Sequence, residues 1–125
     1  MRVMKFAALI VGASLAATPA FADPDVRAGE YTVKGTNFDG SPYSGTAHIS
    51  ITSSTTCEIE WKTGSATSAT SQGICMRDAD SFAAAYKMGD AVGLLIYKIN
   101  DDGSLEGYWT IAGKSGAGTE TLTPQ

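Results

Sequence analysis

The chain is expected to fold as an all-β domain, a small eight-stranded antiparallel up-and-down barrel, and three observations predict it. After Ala22 no apolar stripe of 3.6-residue period is long enough for a helix, whereas alternation of period two recurs along the chain. The turn pattern Asn37-Phe38-Asp39-Gly40-Ser41 returns as Asn100-Asp101-Asp102-Gly103-Ser104, each fitting a three-residue hairpin loop whose glycine takes the left-handed bulge position. Short loops join each alternating run to the next, which makes a meander, and about eight strands close a barrel filled by side chains. A two-sheet β-sandwich is the alternative, although it usually wants a longer crossing connection.

The opening residues belong to a different kind of segment. Met1-Arg2-Val3-Met4-Lys5 is short and positive, Phe6 to Ala16 is mostly apolar, and Ala20 and Ala22 place small side chains at alternate positions. This reads as a cleaved signal peptide over residues 1–22, too short to span a bilayer as a helix of about 20 residues. A single domain over residues 23–125 remains, expected in the periplasm or secreted, with no membrane partner after cleavage. That part loses Arg2 and Lys5, so seven basic side chains face thirteen acidic ones for a formal charge of −6. An acidic surface repels phosphate backbones, so no nucleic-acid partner is expected.

Taken in order, strands are expected at about residues 28–37, 42–51, 56–63, 69–76, 81–88, 91–99, 104–112 and 117–123. The first loop pairs Gly35 with Tyr43 and Tyr31 with Ala47 inside, and Glu30 with His48 outside; a one-residue slip would bury charge. A hairpin centred on Ala66 sets Cys57 across from Cys75, Ile59 across from Gly73 and Trp61 across from Ser71. In an oxidising compartment the two cysteines have only each other, so a cross-strand disulfide is expected. The Gly89-Asp90 turn sets Phe82 opposite Tyr97. The second echoed loop pairs Ile99 with Leu105, Tyr97 with Gly107 and Leu95 with Trp109 inside, and Lys98 with Glu106 outside. The last strand is expected to stop at Pro124, with its parity open: Glu120 and Leu122 inward, or Thr119 and Thr121 inward.

The interior then holds Tyr31, Tyr43, Trp61, Phe82, Tyr86, Tyr97 and Trp109, and three of the rings face a glycine: Tyr43 over Gly35, Tyr86 over Gly93 and Tyr97 over Gly107. An aromatic covering a cross-strand glycine is a packing device, so a solid aromatic core is the first reading and a ligand pocket the second. Trp109 is expected to be one of the most stabilising core rings. With Glu120 inward, Tyr31, Trp109 and Glu120 form a candidate pocket, where a buried carboxylate needs hydrogen bonds or a ligand cation.

No catalytic residue is expected, nor a metal or cofactor, and the protein is read as not an enzyme. His48 is the only histidine and faces outward, the serines lack a base to activate them, and Glu58 and Glu60 share one solvent-facing strand face. Asp101-Asp102-Gly103-Ser104 and Asp78-Ala79-Asp80 are turn formers without the ligand ring of a calcium loop. Gly113 to Gly118 has no helix after it to bind phosphate. The other candidate surface is apolar: Ala83, Ala85, Val92, Leu94, Ile96 and Tyr108 all point outward, a patch suited to a partner or to weak self-association.

Gly29-Glu30-Tyr31 resembles the Gly-x-Trp that opens the first strand of the calycin and lipocalin group, with Tyr31 in place of tryptophan and no arginine on the last strand. More of the chain resembles short uncharacterised exported Gram-negative bacterial β proteins. That similarity runs through Gly29, Tyr31, Val33, Gly35, Asn37, Asp39-Gly40-Ser41, Tyr43 and Gly45, and through Gly116, Gly118, Glu120, Leu122 and Pro124. Some similar sequences carry a fibronectin-binding label, which implies adhesion. The expected function is therefore an exported non-enzymatic binding module for a protein or extracellular macromolecule. The alternatives are a periplasmic inhibitor of a protease or lysozyme, entering a cleft with a free arm over Asp23 to Ala28, and a carrier of a small apolar ligand, favoured if the barrel holds a void of several hundred Å³.

Overall fold

A computed structural model describes residues 25–64 and 70–125; the expected signal peptide and the centre of the disulfide-bearing hairpin around Ala66 lie outside the described residues. Eight strands follow one another: β1 (Gly29–Thr36), β2 (Pro42–Ile51), β3 (Thr56–Thr63), β4 (Thr70–Asp78), β5 (Ser81–Met88), β6 (Ala91–Ile99), β7 (Leu105–Ile111) and β8 (Gly118–Pro124). Each pairs antiparallel with the next, and β1 pairs with β8 from Tyr31–Pro124 to Thr36–Thr119, which closes the barrel. This closure removes the sandwich. Pro124 ends β8 from within the strand rather than beyond it, where its missing N–H costs no ladder bond in the strand's last position. No helix among the described residues is long and apolar enough to cross a membrane.

Both expected loops form, and they use the same bonds. Asn37 and Asn100 donate their backbone N–H to the carbonyls of Ser41 and Ser104, while the Asp39 and Asp102 carboxylates accept from the N–H and hydroxyl of the same serines. Gly40 and Gly103 both sit at φ 84°, a region that a side chain disfavours. These loops fix the registers of β1 with β2 and of β6 with β7 as expected. Lys98 stands across from Glu106, but the ion pairs among the described residues are Glu30–His48, Glu60–Lys62 and Asp25–Arg77. Two long solvated side chains gain little by holding one geometry. Cys57 and Cys75 are register partners with Cα atoms 4.9 Å apart and form the disulfide. Closing that loop contributes about 3 kcal/mol in the chain-entropy model.

The interior is divided. Its lower half is solid: Val33, Ile49, Phe82, Ile99, Leu105 and Leu122 fill it, with Phe82 stacked on Tyr97 at 5.6 Å between centroids. The chain before β1 seals this end. Val26 is buried in the core, the Tyr31 hydroxyl donates to the Arg27 carbonyl at 2.6 Å and accepts from the Arg27 N–H at 3.1 Å, and Arg77 pairs with Asp25. The arm over Asp25 to Ala28 is therefore docked on its own barrel rather than free, because Val26 has apolar surface to bury and Arg27 backbone groups find a phenol.

Candidate functional site

The upper half is hollow, holding a cavity of about 550 Å³ that opens at the end carrying the β1–β2, β3–β4, β5–β6 and β7–β8 connections. Its lining includes Tyr43, Trp61, Ser71, Tyr86, Trp109 and Glu120. Glu120 points inward and is only 7% exposed, which settles the parity of β8: Gly118, Glu120 and Leu122 face in, and Thr119 faces out.

Why a carboxylate can sit there follows from one row of the ladder. Tyr43 faces Gly35, Gly35 faces Glu120, Glu120 faces Gly107 and Gly107 faces Tyr97, so the row crosses β2, β1, β8, β7 and β6. Glycine on both sides leaves the space next to Glu120 without side chains. Tyr43 reaches across the Gly35 gap, and both tyrosines donate their hydroxyls to the carboxylate, Tyr43 to Oε2 and Tyr97 to Oε1. A Cβ on Gly35 would strike the Tyr43 ring and the Thr119 carbonyl, so the gap is used rather than empty. From across the interior, Trp61 donates its Nε1–H to Oε1 at 3.0 Å. At Gly107 the near neighbour is the β6 backbone, so that glycine serves close strand approach rather than cover by a ring. Trp109 provides a glycine-covering ring that the turn registers did not disclose, lying over Gly118.

The electrostatics follow from this packing. Burial pushes the Glu120 carboxyl above its ordinary range, against the hydrogen bonds of Tyr43, Tyr97 and Trp61, which favour the charged form. Burial and the nearby Glu120 charge together push the Tyr86 hydroxyl up to about 12 and those of Tyr43 and Tyr97 higher still, so all three remain protonated donors at neutral pH. Tyr86 donates to the Thr110 carbonyl at 3.0 Å. Trp61 and Tyr86 meet at 5.6 Å, Tyr43 stands edge-on to Trp109 at 6.1 Å, and Phe38 from the β1–β2 loop covers Trp109 at 4.8 Å. The Trp109 Nε1–H is buried with no hydrogen-bond partner among the described residues.

Of the expected pocket residues, Trp109 and Glu120 line the cavity and Tyr31 does not. Tyr31 lies at the sealed end, its hydroxyl satisfied by Arg27, because its position on β1 is four residues below Gly35 and the barrel row of Glu120. Trp109 is half-buried at the mouth rather than deep in the core, since it and Leu95 across from it line the void. Tyr43, Trp61 and Tyr97 were expected inside but not as ligands of a carboxylate. The signal was present in the Gly35 and Gly107 pairings, and only the β8 register was missing.

The expected outward surface is outward. Val92, Leu94, Ile96 and Tyr108 are exposed, as are Ala83 and Ala85, and Ile74 and Met76 on β4 extend the patch. The rows Met76–Ala83–Ile96–Tyr108 and Ile74–Ala85–Leu94 lie side by side. His48 is on the outer wall, with Nδ1 2.8 Å from Glu30. Glu58 and Glu60 border the same broad outer concavity of about 940 Å³. Among the described residues no three His, Cys, Asp or Glu side chains gather as a metal cluster. Asp39 and Asp102 are each held below the ordinary carboxylate range by hydrogen bonds from the serine two positions on, which is turn work.

No protein-family model matches the chain, and no curated protein matches it in sequence. Solved structures do resemble it in fold. A redesigned β-barrel is similar at 19% identity with a TM-score of 0.68, covering 78% of this chain and 90% of its own. A second redesigned barrel, mFAP1 bound to DFHBI, is similar at 20% identity with a TM-score of 0.66, covering 78% and 94%. The fluorescent protein UnaG is similar at 11% identity with a TM-score of 0.51, covering 78% and 96%. These likenesses bear on the calycin-like barrel alone; they lend no sequence-family support to the exported Gram-negative or fibronectin-binding resemblance.

Proposed function

We propose that the protein is an exported, non-enzymatic barrel that binds a small organic ligand in the cavity beneath its mouth. The cavity itself carries this reading: about 550 Å³ lies within the range of small-molecule sites, and it is lined by aromatic rings with a few convergent polar groups. The non-enzymatic part of this reading is supported by the placement of the one histidine, His48, on the outer wall beside Glu30 rather than in the cavity. The barrel neighbours include one bound to DFHBI, which supports the same use of this architecture. Export is supported by the disulfide and by the leader-like opening residues. The inhibitor reading loses its main support, since Val26 ties the arm to the barrel end.

A second reading keeps a macromolecular partner, and the exposed face of Ile74, Met76, Leu94, Ile96 and Tyr108 favours it. Titrating a panel of small aromatic amines, acids and alcohols against the folded domain, read by Trp61 and Trp109 fluorescence, tests the first reading. Saturable binding that disappears in Ser71→Phe, which fills the cavity from β4, is the expected result. No saturable ligand, or equal binding by Ser71→Phe, overturns it.

A further inference from the structure

Resting on the ligand-binding reading, we infer that the cavity selects an organic cation, an ammonium or amidinium group on an apolar or aromatic body, with Glu120 as its counter-charge. The first reason is how the carboxylate is held. Three donors converge on Glu120, and one of them, the Trp61 Nε1–H, can only donate, so the arrangement suits the anion. Oε1 accepts from both Trp61 and Tyr97, whereas Oε2 accepts from Tyr43 alone and retains an acceptor position. The second reason is what the site lacks: Glu120 is the only charged side chain lining the cavity among the described residues. A buried carboxylate held by neutral donors is oriented but not neutralised, and a cation entering from the mouth completes it.

The walls point the same way. Tyr43, Trp61, Tyr86 and Trp109 line the cavity around the carboxylate, and rings in that arrangement attract a cation through their faces. An anionic ligand would meet Glu120 as a like charge in a partly desolvated site, and a neutral one would leave it uncompensated. The acidic excess of the domain outside its leader adds a long-range field of the same sign.

Calorimetric titration of the folded domain at about pH 8 with three probes of one shape, 1-naphthylmethylamine, 1-naphthalenemethanol and 1-naphthoate, reads the charge preference directly. The amine is expected to bind about tenfold or more tighter than the alcohol, and the naphthoate weakest. In Glu120→Gln the preference for the amine over the alcohol is expected to disappear. Equal binding of amine and alcohol to the wild type, or tightest binding of naphthoate, overturns the cation inference and leaves the ligand cavity standing. Binding of none of the three overturns both. The wild-type comparison decides the matter even if Glu120→Gln does not fold, and Tyr43→Phe, which removes one donor and keeps the ring, should weaken the amine more than the alcohol.

Discussion

The echoed loops Asn37 to Ser41 and Asn100 to Ser104 share one hydrogen-bond plan and sit at opposite ends of the barrel, where they do different things. At the sealed end, Ser104 is buried and the Arg27 side chain lies over Gly103. At the open end, Phe38 of the loop itself lies against Trp109 at the mouth. The loop chemistry sets a register and nothing more; what the adjoining residues pack against decides whether an end becomes floor or doorway. Aliphatic side chains and Phe82 make the floor by filling volume, whereas glycines opposite large rings and a lone carboxylate make the doorway by leaving volume unfilled.

The largest expected effect lies at the floor. Phe82→Ala removes a ring with no exposed surface, stacked on Tyr97, and should cost about 3–5 kcal/mol in denaturant unfolding. A loss below about 1 kcal/mol would mean that the floor can collapse around the deletion and that the two ends are not different in packing.

Most of the strand register was legible in the sequence, whereas the division into floor and doorway was not, and the gap has a physical cause. Tight loops at Gly40, Gly89 and Gly103 dictate their registers, so the inward sets of β1, β2, β5, β6 and β7 followed from turn chemistry. The connection from Ile111 to Gly118 is not a tight turn, so it left β8 free to slide by one residue, and the identity of Glu120 as an inward group depended on that slide. Barrel closure supplies what the loop does not: pairing β8 with both β1 and β7 places Glu120 between Gly35 and Gly107. The void had no local signature, because hollow and solid barrels share the same alternation.

At the mouth the same kind of truncation should cost less in stability and more in binding. Trp109→Ala deletes a half-buried ring that borders a void, so a loss of about 1–2 kcal/mol is expected rather than the floor's value. Its ligand affinity should fall by about tenfold, since one wall of the aromatic lining is gone. A stability loss equal to that of Phe82→Ala would place Trp109 in the core after all.

A subtler difference between the ends is electrostatic. Burial raises the Glu120 carboxyl, so the folded state keeps its proton at pH values where the unfolded chain has lost it. Ligand-free stability from this group is therefore fully present below the ordinary glutamate range and is lost as pH rises through the raised value. Asp39 and Asp102 have the opposite sign: their lowered carboxyls stabilise above the ordinary range and lose that contribution as pH falls through their folded values. Subtracting the Tm profile of Glu120→Gln from that of the wild type isolates Glu120, because both proteins keep the two aspartates. The difference should decline with rising pH, and a flat difference would show that the three donors cancel the cost of burial.

The smallest expected effect belongs to the outer wall, where the fold should not depend on side-chain packing at all. Leu94 and Ile96 are 58% and 59% exposed, in rows beside Ala85 and Ala83, and Tyr108 next to them is 61% exposed. In a closed barrel a charge at either position meets water, so Leu94→Lys with Ile96→Glu should change stability by no more than about 0.5 kcal/mol per site. Circular dichroism of the double variant is expected to match the wild type. Were these positions the second buried face of a sandwich, the same charges would be driven into an apolar layer and would unfold the domain. Sedimentation then asks what the face is for. Wild-type association that the double variant abolishes, with binding of the aromatic amine unchanged, would make the wall an interaction surface separate from the cavity. A monomeric wild type would remove self-association from the uses of this wall and leave a different macromolecule as its remaining partner.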